Sequence, residues 1–208
     1  MASKSQIVYD PVKPTELNRV VELESEAFPP DEAASLETIE YRHKHAPELF
    51  LGAYNPSGQL ISYINATRST SSILTHESLT THQPEGTYVL IHSVCVDVAY
   101  RRKGVAKGLL KHYIETCKGS CTALVLVCHP ELKALYLAVG FEEIGQSSLV
   151  HGQRPWWEMR LDLNPVTPAL EAPISNPTDL ICPVAQCGCV ILKSGVGRLI
   201  EKETSPVG

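Results

Sequence analysis

The chain predicts an α/β (α+β) protein, a mixed central β-sheet with helices on both faces. Three observations predict it. Strand-like and helix-like runs follow in the order β-α-α-β-β-β-α-β-α-β-β, which mixes hairpins with crossover helices. The turn cluster Asn55-Pro56-Ser57-Gly58 separates two strand-like runs, the mark of a hairpin. Ala123 to Val127 reads ALVLV, a continuous apolar run of the kind buried on both faces.

Composition is that of a globular protein. The 208 residues carry a formal net charge of -5, with 43% hydrophobic and 20% charged residues. That length suits one domain of ordinary size plus a tail. The acidic balance argues against nucleic acid as a general partner. No stretch approaches the ~20 apolar residues of a spanning helix, so no membrane partner is expected. The opening MASKSQIVYDPVKP has no apolar signal-type core. Seven cysteines, at 95, 117, 121, 128, 182, 187 and 189, make an odd count, and the first four sit in apolar or helical contexts. A reducing, cytoplasmic location is expected.

Each element has a local reason. Ile7-Val8-Tyr9 is a short β-type run closed by Pro11. Leu17, Val20, Val21, Ala27 and Phe28 share one helical face, and Pro29-Pro30 must interrupt that helix. Ser35 with Leu36, Ile39 and His43 starts a second helix that ends before Pro47. Phe50–Tyr54 and Leu60–Arg68 are the strands of the hairpin. Residues 69–87, rich in Ser and Thr, read as a loop. Tyr88–Asp97 is a β-branched strand. Gly104–Cys117 places Val105, Leu109, Leu110, Tyr113 and Cys117 on one face of a helix. Glu131–Val139 is a helix stopped at Gly140. Short strands close the pattern near Glu142–Gly145 and Trp156–Leu163.

The most informative segment is VCVDVAYRRKGVA, Val94 to Ala106. A strand runs into a basic turn, and the turn opens a helix. Helix N-termini present free N–H groups and a partial positive charge, a ready site for phosphate. Gly104 and the small Ala106 let a ligand oxygen approach the backbone. Arg101, Arg102, Lys103 and Lys107 add positive potential in an acidic chain, and Val105 completes the turn.

Arg101-x-x-Gly104-x-Ala106 resembles the coenzyme A signature of the GNAT N-acetyltransferases. The similarity runs from about Gln6 to Leu163. The stretches HESLTTHQPEGTYVLIHSVCVD and CHPELKALYLAVGFEEIG resemble the arylalkylamine N-acetyltransferase branch. The resemblance implies the GNAT fold, with two central parallel strands splayed apart, and acetyl-CoA as cosubstrate. It implies that pantetheine pairs with the backbone of Val94, Cys95 and Val96. It makes His92 the proton acceptor for the incoming ammonium and Tyr136 the proton donor to the leaving thiolate. A second histidine of the branch, two residues earlier, is Leu90 here. Period-two alternation would put residues 90 and 92 on one face.

His129 and Glu32 are rival proton acceptors, although Glu32 also reads as an ordinary solvated carboxylate at a helix start. The amine pocket is expected from Phe28, Pro29, Val94, Val127 and Tyr136, with the 69–87 loop. Glu26, Asp31 and Glu32 would suit a cationic substrate. The expected reaction is acetylation of a primary amine, an arylalkylamine such as serotonin or tryptamine. Two alternatives stand beside it: a polyamine or diamine acetyltransferase on the same fold, and a non-catalytic CoA-binding interaction module.

The character changes after Asn164. Pro165, Pro168, Pro173 and Pro177 mark residues 165–180 as a linker between a domain over 1–164 and a cysteine-containing appendage over 181–208. Cys182, Cys187 and Cys189 resemble half of a zinc knuckle, with no second cysteine pair after them, so no metal is expected. The tail could instead contact a protein partner such as a small GTPase.

Overall fold

A computed structural model describes residues 7–163. The expectations for the linker, the appendage and its zinc lie outside the described residues. The elements are β1 (Val8–Pro11), α1 (Leu17–Ala27), α2 (Leu36–His45), β2 (Leu51–Tyr54), β3 (Leu60–Ser69), α3 (His76–Thr80), β4 (Tyr88–Val96), α4 (Val105–Cys117), β5 (Ala123–Cys128), α5 (Lys133–Leu137), β6 (Glu142–Gln146) and β7 (Trp157–Asp162). The sequence order predicts all but α3. That five-residue helix is held by a Thr75–Ser78 capping box within the Ser/Thr-rich stretch.

The strands form one seven-stranded sheet in the order β1-β2-β3-β4-β5-β7-β6. The β4–β5 pair is parallel and the other pairs are antiparallel. Helices cover both faces. On one, α4 sends Leu109, Leu110 and Tyr113 into a core with Ile64, Val89 and Leu124. Burying each such aliphatic side chain is worth roughly 1.5–3 kcal/mol. On the other, Val20 and Leu23 of α1 and Ile39 of α2 pack on Phe50, Tyr63 and Cys95. The first four residues of ALVLV are buried as expected, with Ala123, Leu124, Val125 and Leu126 at 3% exposure or less, and Val127 is half-buried.

The ends of α1 and α2 frame the site. α1 stops at Ala27, and Phe28 before Pro29 is extended, with φ −119° and ψ 147°. α2 starts at Ser35, whose hydroxyl accepts the Thr38 N–H at 3.2 Å. The residues between them form a loop across one end of the sheet. Among the described residues no helix is long and apolar enough to cross a membrane.

Candidate active site

The site begins where two strands part. β4 and β5 pair at Tyr88↔Ala123, Val89↔Leu124 and Leu90↔Val125, and no further. β4 nevertheless stays on β3 as far as Val96, and β5 stays on β7 as far as Cys128. A wedge therefore opens between them from Ile91 onward. A β-bulge sits at the same point. Asn65 faces Ser93 and Ala66 faces Ile91, so His92 is the extra residue. Val89 and Ile91 enter the same core that Val94 and Val96 pack against, so the alternation slips by one residue at His92. Leu90 is sealed in a separate cluster with Leu74 and Val125. Thr67, the register partner of Leu90, meets His92 Nε2, so residues 90 and 92 share one face as alternation predicts, and the slip falls between His92 and Ser93.

The open edge of β4 corrects one expected contact. The Asp97 N–H bonds Ile61 O at 2.8 Å on the β3 side. Backbone groups alternate between edges, so Cys95 also faces β3, and Val94 and Val96 face the wedge. The Cys95 side chain is buried on the α1 side, its Sγ 3.1 Å from Glu24 Oε2. Cys95 is therefore turned away from the open edge, and of the three residues expected to meet the cosubstrate only Val94 and Val96 lie on that edge.

Beyond the wedge, the basic turn closes onto α4. Arg102 and Gly104 both lie in the left-handed region, at φ 62° and φ 82°. A Cβ on Gly104 would meet nothing within 4 Å, so the approach to the turn is open. The first helical bond runs from the Gly108 N–H to Gly104 O at 2.9 Å, which leaves the earlier N–H groups without helical partners. Arg102, Lys103 and Lys107 are exposed around them. Arg101 differs from expectation. Its Nε donates to Val96 O and its Nη2 to Glu26 O, both at 2.9 Å, so this guanidinium braces the turn against β4 and α1. The turn and the open strand edge together fit a pyrophosphate-bearing pantetheine ligand.

Beside the wedge lies a cavity of about 370 Å³. Phe28, His92, Val94, Val127 and Tyr136 all line it, as the sequence suggests. Pro29 does not line it and is exposed on the loop. Of the acidic candidates, Glu26 and Asp31 point to solvent. Glu32 is the reverse of a solvated helix-start carboxylate. Its side chain is 1% exposed, and its Oε2 lies 3.0 Å from His129 Nε2. His129 Nδ1 donates to Pro155 O at 3.2 Å, and the ring stacks on Trp156 at 4.0 Å. A buried hydrogen bond thus joins Glu32 to His129.

The β6–β7 loop roofs this pair. His151 Nε2 donates to Glu32 O at 3.1 Å, and Trp156 Nε1 donates to His151 O at 2.6 Å. Gly152 sits at φ 69°, and a Cβ there would come within 2.5 Å of Glu32 Cγ. Trp156, His151 and Glu24 are lining residues that sequence reasoning missed. They come from the far end of the sheet and the inner face of α1, and no spacing in the chain links them to the turn at Gly104. Trp156 before a terminal strand is a legible aromatic, but its partner His129 is decided only by the β5–β7 pairing.

The two chemical candidates have distinct settings. His92 Nε2 meets Thr67 Oγ1 at 2.8 Å, and Nδ1 is sealed from solvent without a partner. Burial, and then the charge of Arg42, hold its pKa well below the ordinary 6.5, so the ring is neutral at pH 7. Tyr136 stands on α5, its ring edge-on to Phe141 at 5.7 Å. Its hydroxyl has no hydrogen-bond partner among the described residues, and burial raises its pKa above 10. It holds its proton through the neutral range and is free to donate it.

The depressed His92 value has a consequence for stability. Above pH 6.5 the ring is neutral in both folded and unfolded chains. As pH falls below 6.5 the unfolded chain takes up a proton that the folded chain refuses, so stability falls toward acid. The contribution is at most about 1.4 kcal/mol per pH unit. Urea unfolding between pH 6.5 and 5 should give a shallower pH slope for His92→Gln than for the parent. Equal slopes would mean that His92 titrates normally in the fold.

Among the described residues no cluster of three or more His, Cys, Asp or Glu could hold a metal ion. The four described cysteines, Cys95, Cys117, Cys121 and Cys128, are buried and form no disulfide.

Comparison with known proteins converges on one family. Residues 17–141 match the acetyltransferase (GNAT) family model. Serotonin N-acetyltransferase of Mesocricetus auratus is 31% identical over 156 residues, covering 72% of this chain and 74% of the relative. The fold matches a GNAT-like decarboxylase, GphF, in complex with isobutyryl-CoA, with a TM-score of 0.65, 18% identity and coverage of 76% of this chain and 100% of the other. It also matches Arabidopsis thaliana NAA60 in complex with acetyl-CoA, with a TM-score of 0.62, 20% identity and coverage of 76% and 99%.

Proposed function

This chain belongs to the acetyltransferase (GNAT) family, and from that premise we propose that it moves the acetyl group of acetyl-CoA to a primary arylalkylamine. The observation that carries the substrate class is the cavity wall. Phe28, the His129–Trp156 stack and Leu79 offer flat and apolar surface to an aryl group. Its volume of about 370 Å³ suits a small ligand.

Acetyl-CoA supplies an activated thioester, held by the Gly104 turn and the open edge of Val94 and Val96. The chain's own residues manage protons and position. An amine arrives as an ammonium, and its proton must leave before nitrogen can attack the carbonyl carbon. Neutral His92 accepts that proton, with the Thr67 hydroxyl orienting Nε2. As the new C–N bond forms and the C–S bond breaks, Tyr136 donates its proton to the departing sulfur. The net products are the amide, free thiol and one proton.

His92→Ala should lower kcat/KM most at low pH, where little free amine exists. The loss should shrink as pH rises toward the amine pKa. A loss equal at every pH would make His92 structural.

A specific observation favours a second reading. A buried carboxylate, Glu32, lines the cavity, and only its Oε2 is bonded to His129. It would suit a polyamine or diamine carrying a second ammonium. A thiol-release assay with tryptamine, serotonin, putrescine and spermidine separates the readings. At least about tenfold higher kcat/KM for the arylalkylamines is expected, the scale of apolar-pocket discrimination. Preference for the polyamines would select the second reading. Tight CoA binding with no turnover on any amine would leave a non-catalytic module.

A further inference from the structure

We infer that Glu24 is a positioning residue for this site: its carboxylate holds the β4 bulge that carries His92, and the loop that carries Glu32, in one frame. The inference rests on the acetyltransferase reading of the cavity.

Glu24 lies on the inner face of α1 and is 2% exposed. Both its oxygens are fully engaged. Oε1 accepts the Ser93 hydroxyl at 3.0 Å and the Ala34 N–H at 3.1 Å. Oε2 accepts the Cys95 thiol at 3.1 Å and the Tyr63 hydroxyl. The donors come from separate places that the reaction needs in register. Ser93 directly follows His92 in the bulge, and Ala34 is two residues beyond Glu32. Tyr63 and Cys95 are register partners across β3 and β4, the sheet beneath.

An apolar side chain would pack α1 on the sheet as well, without the cost of a buried carboxylate. What it could not do is accept four donors from three elements at fixed angles. The bulge and the loop have no direct hydrogen bond to each other, so the carboxylate is their common reference.

Charge points the same way. Arg42 of α2 lines the same cavity and lies in the field of Glu24, with burial lowering its pKa to about 10. Arg42 in turn acts on His92. Glu24 therefore also tempers the cation that His92 feels. Its own other neighbours are Tyr63 and Cys95. The remaining titratable groups around the cavity are Glu32, His76, Cys128, His129, His151 and Tyr136.

Glu24→Gln keeps the volume but turns one acceptor oxygen into a donor, so two of the four donors lose their partner. It should lower kcat about 10- to 100-fold, the scale of a small misplacement of reacting groups. The KM for acetyl-CoA should stay within about twofold, because the Gly104 turn is not touched. Histidine-ring NMR should show the His92 signals displaced while CoA affinity by calorimetry holds. Ser93→Ala removes one donor and should move kcat and the ring signals the same way, by less. A kcat within twofold of the parent in Glu24→Gln, or an unmoved His92 ring, overturns the assignment. If Glu24→Gln does not fold, Ser93→Ala decides by the same two readouts. If the parent acetylates no amine, the functional reading fails, and the His92 ring signals still decide the role of Glu24.

Discussion

Gly104→Glu should abolish the thermal protection that acetyl-CoA gives the parent protein, with affinity lower by at least about a hundredfold, equivalent to roughly 2.7 kcal/mol. Two independent effects add at this position. At φ 82° any side chain is strained, because Cβ crowds the following carbonyl. The carboxylate would also extend into the open approach where the helical N–H groups of α4 face outward. It would satisfy those groups from within and repel phosphate. Gly104→Ala separates the effects. It keeps the strain, adds no charge, and should lose far less affinity. Calorimetric titration with CoA measures both variants. Unchanged affinity in Gly104→Glu would mean that the turn is not the phosphate site.

The second large effect is expected at Tyr136. Tyr136→Phe keeps the ring against Phe141 and removes only the hydroxyl. The fold and CoA affinity should therefore hold, while kcat falls about 10²- to 10³-fold at pH 7. The defect should ease with acyl donors whose thiols are better leaving groups, since they need less protonation. Burial keeps the parent phenol protonated above its usual range, so loss of this donor should not produce an alkaline limb below about pH 10. Near-normal kcat in Tyr136→Phe would remove the tyrosine from the mechanism.

The fold and the turn proposed for the cosubstrate were legible because both are local in sequence. A strand, a basic turn and a helix start lie within Val94–Ala106, and the N–H groups proposed to meet phosphate belong to those same residues. ALVLV announces its own burial, and Pro29-Pro30 ends α1 wherever the helix packs. The catalytic surroundings are not local. Glu32 is 97 residues from His129, and only the sheet order places the α1–α2 loop against the end of β5. Burial of Glu32, the slip of alternation at His92, the bracing of Arg101 against Glu26 O and the rotation of Cys95 away from the wedge all follow from register. Register is a competition among whole strands for partners and faces, and no single segment contains it. The chain by itself determined the elements and the basic turn that opens α4. Only the tertiary structure decided which buried polar groups meet, because a carboxylate enters a core only where donors from distant elements converge on it.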